Sequence, residues 1–153
     1  MKKTLLFTLL LTCTLTLSSC GKNTEEILAF QNELNTTILK IESLNKELNS
    51  LDVTAPDATK TALTNLSKLN DAFEDLADIK ITDEEFAYLE ELADEGADYM
   101  SQAYNLYEFA YGQGYYDAQN ADLAYKYLER ATTRVRVIVS MLHGDVPDDV
   151  IVH

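Results

Sequence analysis

Apolar residues recur at alternating steps of three and four along four stretches of this chain, and few folds use that spacing. The first stretch carries Ile27, Phe30, Leu34, Thr37, Ile41, Leu44, Leu48 and Leu51, with Thr37 its one polar member. A strict 3.5-residue repeat draws a single narrow stripe down a helix, the pattern of coiled coils and bundles. The second stretch runs Ala62, Leu66, Leu69, Phe73, Leu76. The third runs Phe86, Leu89, Ala93, Gly96, Met100, Ala103, Tyr107, Ala110, and the fourth Ala121, Ala124, Leu128, Ala131, Val135, Ile138, Leu142. Half of the third stripe is alanine or glycine, which predicts close approach by a neighbouring backbone.

Helix ends are marked as well. Asn23 and Thr24 suit a first helix start, with Glu25 and Glu26 at the positive end of its dipole. Thr54 and Pro56 mark the second, because proline fits the first helical turn. Thr82-Asp83-Glu84-Glu85 has the form of a capping box before the third. Gly144 suits a C-terminal cap after the fourth. Residues 134–140, "RVRVIVS", alternate as a strand does. The fourth stripe nevertheless passes through them in phase, and no partner strand is in view, so they read as helix. Only 5 glycines and 2 prolines interrupt 153 residues, which favours long helices. The links "DVTA", "IKIT" and "GQGYYD" are short, and short links make antiparallel neighbours. The expectation is an all-α chain: an antiparallel up-down-up-down four-helix bundle over residues 24–144, then an irregular acidic tail over 145–153.

Ahead of the bundle, Met1-Lys2-Lys3 forms a short positive region and residues 4–17 an apolar core of secretory length, too short for a comfortable membrane span. Leu17-Ser18-Ser19-Cys20 then resembles the lipobox of bacterial lipoproteins: a branched apolar residue, two small residues and a cysteine. The resemblance implies that residues 1–19 are a signal peptide, that Cys20 is lipidated, palmitate included, and that residues 20–23 are a short tether. It places the protein on the extracytoplasmic side of a bacterial cell membrane or outer membrane. Two acyl chains anchor stably where one is marginal, at about 0.8 kcal/mol per buried CH₂. Gly21 is not the aspartate that retains some lipoproteins in an inner membrane, which leaves the number of membranes open. Cys13 would leave with the leader and Cys20 would become a thioether, so neither serves a disulfide, a metal or a nucleophile.

Loss of Lys2 and Lys3 leaves 10 basic side chains against 26 acidic ones, a charge near −16. Nucleic acid is a poor partner for such a surface. Anionic lipid heads repel it, so the anchor holds the membrane contact. The expected partners are the membrane, through Cys20, and a protein or cell-envelope component.

All nine tyrosines lie between Tyr88 and Tyr127. Tyr104, Tyr107, Tyr111 and Tyr115 follow helical spacing around the Gly112-Gln113-Gly114 break, with Tyr116 adjoining. Tyrosine gives large contact area and a hydroxyl at low entropic cost, so these five form a candidate binding surface. The same rings would equally fill space between the small residues of helices three and four. Lys126, Arg130 and Arg134 stand at i, i+4 and i+8, beside Arg136. They are candidate anion contacts, or else face the acids of helix three. Glu84, Glu91, Glu95 and Asp98 form an acidic stripe with Tyr88, which reads as a solvated face, because no loop carries the alternating oxygen ligands of a calcium site. The segment from Gly114 to Ala131 resembles a tetratricopeptide helix pair at Ala124, Leu128 and Ala131. An insertion departs from that pattern, and one unit does not make a stacking array.

Nothing points to catalysis. His143 next to Gly144 reads as a cation at a helix C-terminus. No Glu-x-x-His pair, glycine-rich phosphate loop, serine elbow or metal-spaced cysteine set is present. No metal or cofactor is expected. The functional expectation is a non-catalytic accessory or binding lipoprotein. The alternative is one that captures a cation, peptide or sugar for a transporter or enzyme.

Overall fold

The computed structural model describes residues 24–80, 86–112 and 116–143. Four helices carry them: α1 (Thr24–Asn49), α2 (Ala58–Ala77), α3 (Ala87–Gly112) and α4 (Ala118–Leu142). No strand occurs among the described residues, so 134–140 is helical, as the phase of the fourth stripe requires. The lipobox, the capping box at 82–85, Gly144 and the tail 145–153 lie outside the described residues.

From Phe30 to Leu142, every stripe position is buried or half-buried. Most of the buried residues join into one core running from Leu34 to Ile138. Phe73, Leu69, Met100 and Ile138 are completely enclosed, each contributing about 1.5–3 kcal/mol by leaving water. The buried face is wider than the narrow seam expected. Ile38, Ala72, Leu92 and Val137 lie beside the stripes and are buried too. A helix facing a globular core needs an apolar arc of roughly 100° or more, not the two-position seam of a coiled coil.

Helix α1 packs on α2, α2 on α3, and α3 most extensively on α4. The last contact has a compositional cause. Ala93, Gly96, Ala103 and Ala110 on α3, with Ala121, Ala124 and Ala131 on α4, are all buried, and small side chains let two helix axes approach. At Gly96 the closest neighbours are side chains and not the expected backbone. A Cβ there would meet the Phe73 ring at 3.4 Å and Arg134 Cβ at 3.5 Å. The glycine is a socket for a ring of α2.

The start of α2 also departs from expectation. Pro56 lies in the preceding turn, and the helix begins at Ala58 after Asp57. The Asp52 carboxylate accepts from the Thr54 N–H at 2.9 Å and the Thr54 hydroxyl at 2.7 Å. Ala55 N–H then bonds the Asp52 carbonyl at 3.1 Å and Ala58 N–H the Ala55 carbonyl at 3.0 Å. These turns occupy the backbone groups that an earlier helix start would need. The two Thr54 bonds favour the ionised carboxylate and hold Asp52 below the usual range.

Candidate functional site

Two clusters stand out, both where α3 meets α4. The first is built on a tight connection. Asp117 N–H donates to the Ala110 carbonyl at 3.0 Å. The Asp117 side chain then caps α4: Oδ1 accepts from the N–H groups of Gln119 and Asn120, each at 3.1 Å. Oδ2 accepts from Asn120 Nδ2 at 2.9 Å. This clamp sets Tyr116 against the end of α3. Tyr107 and Tyr111 stack with centroids 6.4 Å apart and planes at 25°, and Tyr111 meets Tyr116 at 5.3 Å and 41°. Such offset pairs contribute about 0.5–1.5 kcal/mol each beyond their burial.

The row runs from core to water. Tyr107 packs against the core, while Tyr111 is 40% exposed and Tyr116 60%. On the first turns of α4, Tyr125 is also exposed. Burial, then the neighbouring phenols, push the Tyr107 hydroxyl up to about 12. Burial and then Tyr116 raise Tyr111. These hydroxyls therefore stay neutral near physiological pH and both donate and accept hydrogen bonds. Tyr104 stands apart. Its hydroxyl donates to Glu108 Oε1 at 2.7 Å, which raises its pKa, and it lines an open hollow with Leu63, Ser67 and Lys68 of α2. Tyr115 lies outside the described residues.

The second cluster lies further along α4. An open hollow of about 480 Å³ gathers Lys126, Arg130, Arg134 and Arg136, with Tyr99 contributed by α3. Arg130 Cζ is 5.7 Å from the Tyr99 ring centre and 5.5 Å from that of Tyr127, and Arg134 Cζ is 5.7 Å from Tyr99. The two rings lie 6.2 Å apart. Arg134 Nε also abuts Glu95 Oε2. Its N–H points off the oxygen, so the contact is an ion pair and not a directed hydrogen bond. Thus one of the three expected cations meets an acid of α3. Tyr99 and Tyr127 were not among the expected contacts. Tyr127 stands three residues before Arg130, a spacing that brings side chains together on any helix. The approach of Tyr99 depends on how α3 and α4 pack.

Of the acidic stripe, Glu91 and Asp98 are exposed, Glu95 pairs with Arg134, and Glu84 lies outside the described residues. Among the described residues no group of three His, Cys, Asp or Glu side chains is placed to hold a metal. No helix among them is long and apolar enough to cross a membrane. His143 is exposed and closes α4, its N–H bonding the carbonyls of Ser140 at 3.1 Å and Val139 at 3.2 Å.

The chain matches no protein-family model, no curated protein and no solved structure.

Proposed function

We propose that this chain is a small lipid-anchored, extracytoplasmic helical lipoprotein that binds a protein or cell-envelope component without catalysing a reaction. Its working surface is the tyrosine row where α3 passes to α4. The observation that carries this reading is the exposure of Tyr111 and Tyr116, stacked on a half-buried Tyr107. Scattered exposed apolar residues are ordinary, but contiguous aromatic surface marks interaction sites. The Asp117 clamp orders these rings in advance, which lowers the entropic cost of binding.

The four helices alternate in direction, as an up-down-up-down bundle. Pairings along each helix couple support this. Lys40 bonds Asp75, whereas Glu47, further along α1, shares a hollow with the earlier Lys68. Phe73 sits on Gly96, whereas the earlier Leu63 shares a hollow with Glu108. Glu95 meets Arg134, and the later Ala110 meets Asp117. As position advances along one helix, the partner recedes along the next. Cys20, a few residues before α1, would hold the bundle close to the membrane.

The test compares the full chain with a Tyr111→Ala, Tyr115→Ala, Tyr116→Ala variant in capture from an envelope extract, with helicity checked by circular dichroism. A partner lost by the folded variant is the expected result. If the variant retains every partner, the surface assignment is wrong. Acyl labelling should mark the chain and spare Cys20→Ser, and an unlabelled parent would remove the anchor. A second reading, capture of a small ligand for a transporter or enzyme, is favoured by the arginine hollow on α4.

A further inference from the structure

We infer that the hollow on α4 is a binding site for a phosphoryl group. The chain has three arginines, Arg130, Arg134 and Arg136, and all three line this hollow together with Lys126. Glu129 is the one acid on its lining. That local excess is the reverse of the chain as a whole, where 26 acids face 12 bases. Among the described residues, Lys126, Arg130 and Arg136 have no carboxylate partner and Arg134 reaches one, Glu95. Lys46, Lys60 and Lys68 are unpaired too, but these four differ in converging on one hollow.

Cation–π contacts favour this arrangement before any ligand arrives. Arg130 is held against Tyr99 and Tyr127, and Arg134 against Tyr99. A guanidinium within about 6 Å of a ring centre is attracted to its π face and still has N–H groups to offer an oxyanion. Lys126, Arg130 and Arg134 follow one another at about 6 Å along the helix, from a rise of 1.5 Å per residue. The Thr133 hydroxyl donates to the Glu129 carbonyl at 2.7 Å, which leaves the cationic side chains as the donors. Two guanidiniums that share one ring suit a tetrahedral phosphoryl group, whose oxygens take more than one fork. A planar carboxylate is matched by a single fork. The acidic remainder of the surface does not cancel the site, because charges beyond about 8 Å are largely screened at physiological ionic strength.

Such a group reaches the site either as a free phosphate or as the phosphodiester of a lipid head or envelope polymer. The hollow is separate from the tyrosine row, so the two readings fail independently. The experiment is calorimetric titration of the full chain, held in a neutral detergent, with inorganic phosphate and separately with glycerophosphoglycerol. The variant is Lys126→Ser, Arg130→Ser, Arg136→Ser. The control, Lys46→Ser, Lys60→Ser, Lys68→Ser, loses the same charge elsewhere. Saturable binding of at least one probe is expected, weakened tenfold or more in the variant alone. Binding of phosphate assigns a free source, and binding of glycerophosphoglycerol a phosphodiester. Should loss of the stack unfold the variant, Lys126→Ser, Arg136→Ser keeps the stack and is expected to weaken binding threefold or more. Absence of binding by both probes, or equal weakening in variant and control, overturns the assignment.

Discussion

Replacing Gly96 by alanine should stabilise the protein slightly, while replacing it by leucine should destabilise it. Two effects of known sign meet at this position. Glycine inside a helix costs about 1 kcal/mol relative to alanine. The new methyl would lie 3.4 Å from two atoms of the Phe73 ring and 3.5 Å from Arg134 Cβ, ordinary contact distances. The net gain is therefore about 0.5–1 kcal/mol, which raises Tm by about 2–5 °C for a chain of this size. Leucine adds three further carbons where there is no space. Phe73 is fully buried and has no solvent to swing into, so overpacking costs about 1–3 kcal/mol. Phe73→Leu combined with Gly96→Leu should recover part of that loss, with a coupling energy of about 0.5–2 kcal/mol. Urea unfolding followed by circular dichroism measures each value, with the slope held constant as the check on mechanism. If Gly96→Ala loses more than about 1 kcal/mol, the space over Gly96 is too tight for a methyl; if the two leucine changes simply add, Phe73 does not occupy the Gly96 socket; either result refutes the reasoning.

Further outcomes follow from other contacts. Asp117→Ala removes the acceptor for two N–H groups at the start of α4 and should cost about 1 kcal/mol in a thermal melt, whereas Asp117→Asn should cost far less. Tyr107 is held neutral in the fold, at about 12 against an ordinary 10.0. The native state therefore keeps a proton that the unfolded chain releases, so stability is level below about pH 10 and falls between 10 and 12. The loss is of the order of 2 kcal/mol, and Tyr107→Phe should flatten that limb in melts run against pH. Lys40→Met removes an exposed 2.7 Å ion pair with Asp75 and should change stability by no more than about 0.5 kcal/mol. A larger effect that persists in high salt would show that the pair is shielded from water.

Helix number, helix type and the centre line of the buried face, though not its width, were legible in the residue order, because alternation by three and four is a local property that each helix expresses alone. Leu34, Leu69, Met100 and Ile138 are enclosed where that spacing put them. The helix interior at 134–140 follows for the same reason. Turn chemistry was less legible. The Asp52–Thr54 bonds delay α2 past Pro56, and such side-chain competition for backbone groups leaves only a weak mark in sequence. The tyrosines were visible as a cluster, but not their division. Tyr107, Tyr111 and Tyr116 form one row, while Tyr104 turns to α2, because helical spacing orders rings on one helix without saying which neighbour each meets.

By itself, then, the order of residues determined four amphipathic helices, an acidic surface and a cationic line along α4. Tertiary structure alone decided that Tyr99 stands over Arg130 and Arg134, and that Phe73 fills the space above Gly96. These partners lie on different helices. Their meeting depends on the relative rotation and axial offset of packed helices, and those are set by how side chains interlock across the whole core.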